Sequence, residues 1–127
     1  VLVQVPRLTT PAEWCEFHGV AVKRGIVTLY KAVNDDYESA HGTSYAPGTK
    51  PEAPDWDPVP ECGGGLHFSP RPSAALAFAA DAARFVACPV RLDEIVVHPD
   101  GLYPEKVKAP RVVGKGCYEV NIDGEPI

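Results

Sequence analysis

At 127 residues, with 45% hydrophobic and 23% charged side chains, the chain is long enough for one core and too balanced in composition for global disorder, so a single domain over residues 1–127 is expected. Its net charge of −5 gives no blanket attraction for phosphate backbones, which excludes nonspecific nucleic-acid binding as a default. No stretch approaches the roughly 20 apolar residues of a membrane span, and no basic segment followed by an apolar run marks a signal peptide. The expectation is a cytoplasmic protein with no membrane association; the start at Val1 and the lack of methionine imply that a start residue or leader was removed or precedes this chain. Fourteen prolines and 11 glycines predict much irregular chain between short elements, and such loops tend to carry function.

In chain order, Val1 to Leu8 reads as an edge strand or an arm. Thr10-Pro11-Ala12-Glu13 has the form of a capping box with proline at the first helical position, predicting a helix from Pro11 to about His18 that stops at Gly19 and buries Trp14, Cys15 and Phe17. Val20 to Val22, the turn Lys23-Arg24-Gly25 and Ile26 to Val33 predict a hairpin, whose second strand is the strongest strand signal in the chain. From Ser39 to Gly65 glycine, proline and aspartate dominate, and loops this long are usually binding loops, lids or mobile segments. Within it, Trp56 reads either as a pin holding the loop to the body or as a stacking platform.

The stretch Glu61 to Phe78 organises the functional reading. Gly63 to Gly65 leave no side chain to block a close approach by a ligand, Leu66-His67-Phe68 reads as a strand with His67 facing away from its neighbours, and Ser69 or Ser73 is placed to cap a following helix. Ala74 to Arg84 reads as that helix, nearly apolar all round. Phe85 to Val90 predicts a buried strand, Asp93 to Val97 a turn and a strand, and His98 to Gly101 a turn. Pro104 to Lys115 reads as a basic run on irregular chain, either a solvated face or an anion-binding rim beside the glycines, and Cys117 to Ile122 as a final strand. Strands without regularly interposed helices predict an α+β fold with two helices and one curved, mainly antiparallel sheet.

Two resemblances follow from these residues. Leu29 to Val33, Cys62 to His67, Val90 to Val97 and Lys115 to Val120 resemble a group of small uncharacterised proteins in actinobacteria and their phages. The LYK strand, the loop containing His41-Gly42-Thr43-Ser44, and Gly64 to Pro72 with Ala75 and Phe78 resemble the ADP-ribosyltransferase superfamily, including its NAD-dependent toxin and RNA 2′-phosphotransferase branches. That resemblance implies an ADP-ribosyltransferase-like fold and a transferase that binds NAD or another nucleotide-like small molecule, moving ADP-ribose or acting on a phosphorylated substrate. It implies catalytic roles for Lys31, His67 and Glu119, and places Lys31, His41, Gly64, Gly65 and Arg71 around the cofactor. Lysine and histidine stand where the superfamily has an arginine or histidine clamp and a tyrosine, and Glu119 is assigned by its order on the last strand. Arg111 joins Lys31, His67 and Arg71 as a phosphate holder in the phosphotransferase reading.

Other chemistries have weaker sequence support. Cys15, Cys62, Cys88 and Cys117 contain no CxxC pair and read as buried reduced thiols; the Cys62 and His67 spacing, with Cys88, Cys117 or His98 as further ligands, is atypical for zinc, and no metal is expected. Cys62 as a nucleophile would need an electropositive setting that Glu61 opposes. The alternative to an enzyme is a noncatalytic, phage-related interaction module that holds a protein partner through the long loop.

Overall fold

A computed structural model of the chain describes residues 7–60, 64–76, 82–100 and 104–127. Local signals set its first third. Helix α1 (Pro11–His18) begins where the Thr10 hydroxyl accepts the Glu13 backbone N–H at 3.2 Å and donates to the Glu13 carboxylate at 3.0 Å. It ends in a Schellman closure: Gly19 adopts φ +70°, its N–H bonds the Glu16 carbonyl, and the Val20 N–H returns to the Cys15 carbonyl at 2.8 Å. Strands β1 (Val22–Lys23) and β2 (Ile26–Val33) are joined by Arg24 and Gly25, both at positive φ, the backbone that a two-residue turn needs to follow strand twist.

Beyond the long loop come β3 (Leu66–Phe68), α2 (Pro72–Ala75), β4 (Arg84–Arg91), a 3₁₀ turn at Leu92–Glu94, β5 (Val96–Val97), β6 (Val107–Ala109) and β7 (Tyr118–Val120). The fold is α+β with antiparallel pairing throughout its ladders. Instead of the one curved sheet expected, the described residues build two, ordered β1-β2-β4-β7 and β3-β6-β5. They meet where Tyr30 and Ser69 exchange backbone hydrogen bonds at 2.9 Å. Val27, Leu29, Val86, Cys88 and Val90 of the larger sheet share one buried core with Leu66, Phe68, Val97, Val107 and Ala109 of the smaller, and Trp14 closes it with its indole N–H on the Pro104 carbonyl.

Several expectations change. Phe17 is 54% exposed, because α1 turns Trp14 and Cys15 inward. No serine caps α2: Arg71 holds the N-cap position without a side-chain hydrogen bond, and Ser69 is buried in the bridge to Tyr30. The helix expected through Arg84 does not reach it, since Ala83 bonds the Val33 carbonyl and Arg84 opens β4 opposite Val33; residues 77–81 lie outside the described residues. The basic run is not wholly irregular, for β6 lies at the centre of the smaller sheet with Lys108 buried. The readings on Val1 to Pro6, Cys62, Gly63 and Gly101 also lie outside the described residues.

Candidate functional site

On β2, the row Val27, Leu29, Lys31, Val33 shares one face of the strand, and three of its four members are buried apolar side chains. Lys31 therefore enters the interior beside them. Its ammonium donates to the His67 backbone carbonyl at 2.9 Å, linking the two sheets, and lies 5.2 Å from the centre of the Tyr45 ring. Burial, reinforced by the charge of Lys106, pulls its pKa down to about 8.

His67 faces away from buried Leu66 and Phe68, as the alternation predicts, and pairs across the smaller sheet with Lys108. Its ring stacks on that of His98, with centroids 6.1 Å apart. Burial first, then Lys106, Lys31, His98 and Lys108, lowers its pKa to about 4. His98 is shifted down as well, by burial and Lys108, with the Pro60 carbonyl opposing. Among the described residues His67 Nε2 and both ring nitrogens of His98 are buried without a well-formed hydrogen bond, the Pro60 carbonyl lying near His98, whereas such groups are nearly always paired. Lys108 holds its ammonium 5.7 Å from the centre of the Trp56 ring.

Two adjoining hollows, of about 100 and 640 Å³, share Lys31, Ser39, His41, His67 and Lys106 in their walls. The larger is of the size that holds a nucleotide-like ligand. Glu38 borders the smaller and Asp55 the larger, so the wall is mixed in sign.

The sequence reading located part of this site. Lys31, His41 and His67 line the same cleft, and Gly64 and Gly65 border its larger half. The glycines, however, do not keep space open for a ligand. A Cβ on Gly64 would collide with the Asp55 carbonyl oxygen, and one on Gly65 would sit 3.0 Å from the Trp56 ring, so the loop's own segment fills that room. Arg71 is not brought to the cleft; it donates to the His18 carbonyl at the end of α1. Arg111 is bonded to Glu94 at 3.0 and 3.2 Å. Glu119 lies in one cross-strand row with Val86 and Lys31, two strands away on the same face, and its carboxylate is held by Arg84 at 3.1 Å and by the Tyr37 hydroxyl at 2.8 Å. His98 and the burial of Lys108 were missed as parts of this cluster.

Residues 27–114 match the family described as Domain of unknown function (DUF7666). The chain belongs to this family. Comparison with curated proteins and with solved structures gave no match. The DUF7666 span contains Lys31, His41, His67, His98, Lys106 and Lys108, and ends before Glu119, so the cleft falls within the matched span and the Glu119 strand falls outside it.

The imidazoles give this DUF7666 domain a pH signature. His67 has a folded pKa of about 4 against an ordinary 6.5, so in that window the unfolded chain holds a proton that the native one lacks. The His67 contribution to stability is fully present above pH 6.5 and is lost as pH drops toward 4. Urea unfolding across this range is expected to show a shallower decline in His67→Gln than in the wild type; parallel curves would mean that His67 does not titrate out of step between the two states.

Proposed function

We propose that the cleft binds the phosphate groups of a nucleotide-like ligand, with NAD as the candidate, in a domain of ADP-ribosyltransferase-like architecture. The observation that carries this reading is the convergence of Lys31, His41, His67 and Lys106 on one hollow, where the buried His67 Nε2 has no hydrogen-bond partner among the described residues. A phosphate there would accept from Lys31 and Lys106 and from imidazole N–H groups, and in a partly dry site such charge-assisted bonds are stronger than in water. Lysine ammoniums act as point charges without a fork, which suits a pyrophosphate that can rotate among them.

These residues fit the pyrophosphate of NAD better than they fit the transfer step. In the transferase reading NAD supplies an electrophilic ribose carbon, and Glu119 is the carboxylate to hold a ribose hydroxyl. Both of its oxygens are engaged, one by Tyr37 and both by Arg84, so a hydroxyl would have to displace Tyr37 from Oε1. Transfer of ADP-ribose, or action on a phosphorylated substrate, therefore follows only from binding plus release of Glu119.

Calorimetric titration at low salt with NAD and, separately, with inorganic pyrophosphate tests binding. Both are expected to bind, and His67→Ala to weaken each by about tenfold or more, the scale of one charge-assisted hydrogen bond. Absence of heat from both ligands at millimolar concentration would remove this reading. Pyrophosphate binding without NAD binding would retain the anion site and discard the cofactor.

A further inference from the structure

The larger sheet carries a second chemical feature, behind the cleft residues Lys31 and Tyr45 and outside the lining itself. Strands β4 and β7 pair with Phe85 opposite Val120, Val86 opposite Glu119 and Ala87 opposite Tyr118, so the next position places Cys88 opposite Cys117. Their sulfurs are 3.5 Å apart, in hydrogen-bond contact, and both residues are buried. Directly opposed strand residues have Cβ atoms about 4.5–5.5 Å apart, against roughly 3.5–4.5 Å in a disulfide, so closing the bond needs a backbone shift of only about 1 Å. The backbone of Cys117 is fixed against the long loop, donating to the Thr49 carbonyl at 2.9 Å and accepting from the Gly48 N–H at 2.8 Å.

We propose that Cys88 and Cys117 form a redox modification site, which a small peroxide converts to a disulfide joining β4 to the segment that enters β7. Cys117 is the sulfur oxidised first. The hydrogen bond from Cys88 holds its thiol below the usual range while burial pushes Cys88 well above it, and Cys117 stands two residues beyond the exposed turn Gly114-Lys115. Its thiolate attacks one peroxide oxygen, the O–O bond breaks, and hydroxide leaves to take up the displaced thiol proton as water. Cys88 then attacks the sulfenic sulfur, the S–O bond breaks, and a second water departs with the Cys88 proton. Two thiols are oxidised, and one peroxide is reduced to two waters.

The disulfide would close a loop between positions 29 apart in sequence, restricting the unfolded chain. The oxidised protein is expected to unfold roughly 5–15 °C higher than the reduced one.

The test treats the folded 127-residue chain with hydrogen peroxide, blocks remaining thiols with an alkylating agent under denaturing conditions, and maps peptides without reduction. The expected result is a crosslinked peptide containing Cys88 and Cys117, lighter by about 2 Da than the two free thiols together and reopened by a dithiol. Cys15, the other described thiol, stays alkylatable, and the rise in unfolding temperature is absent from Cys88→Ala and Cys117→Ala. Full alkylation of both residues after treatment, separate sulfinic acids on them, or a link from either to Cys62 would each overturn the assignment. Because the readout is a covalent bond in the wild-type chain, it stands or falls independently of anion binding.

Discussion

Lys31→Met is expected to stabilise the protein by about 1–2 kcal/mol at pH 7 while removing the pyrophosphate affinity proposed for the cleft. Holding the ammonium of Lys31 in the interior lowers its pKa from 10.5 to about 8, which corresponds to a cost of roughly 3 kcal/mol whenever the group is protonated in both states. Methionine fills a similar volume without that cost. It also leaves the His67 carbonyl without the donor it now has at 2.9 Å, which takes back about 1–2 kcal/mol. Between pH 8 and 10.5 the unfolded chain keeps a proton that the native chain has shed, so wild-type stability climbs with pH through this window and the advantage of methionine fades over the same range. Urea unfolding of both proteins at pH 7 and pH 10, with pyrophosphate titration at pH 7, checks all three parts. A variant less stable than wild type at pH 7 would make Lys31 a structural tie between the sheets; a more stable variant that no longer binds would mark it as a residue whose burial is tolerated for its ligand.

How far the sequence discloses this molecule depends on whether the deciding force is local. The ends of α1 were legible because Thr10, Glu13 and Gly19 act within a few residues of one another, and the β1-β2 hairpin because Arg24-Gly25 is a turn signal between alternating runs. The burial of Phe17 was misread because which side of α1 faces inward is decided by docking on the distant core, where Trp14 takes the inward position. β6 was invisible for a similar reason. Val107-Lys108-Ala109 is too short to show a period, and it becomes a central strand only because β3 and β5 pair with its two edges. The cleft was half legible: the alternation around His67 and the position of Lys31 in β2 were in the residues, whereas the stacking of His98 on His67 depends on two sequence-distant segments meeting. For Arg71 and Arg111, the resemblance implied a ligand contact, and the structure has Arg71 on the His18 carbonyl and Arg111 on Glu94.

Gly64→Ala is expected to destabilise the fold by about 2–4 kcal/mol, the range for forced displacement of packed backbone. The new Cβ would meet the Asp55 carbonyl oxygen, which cannot rotate away as a flexible side chain could. The contact is reinforced from both sides, since Asp57 donates its backbone N–H to the Gly64 carbonyl at 3.2 Å and the Trp56 ring covers Gly65 and approaches Lys108. Displacing 55–57 would therefore loosen the long loop beside β3. Gly42→Ala separates this steric cost from ordinary backbone preference: Gly42 sits at φ +83° with open space where the new methyl would go, so only the left-handed conformation is penalised, by about 1–2 kcal/mol. Urea unfolding gives both costs, and acrylamide quenching of Trp56 in a Trp14→Phe background reports whether the segment has lifted. If Gly64→Ala instead keeps wild-type stability and loses only pyrophosphate affinity, the glycine serves ligand approach after all, and the packing of 55–57 against it is incidental to the fold.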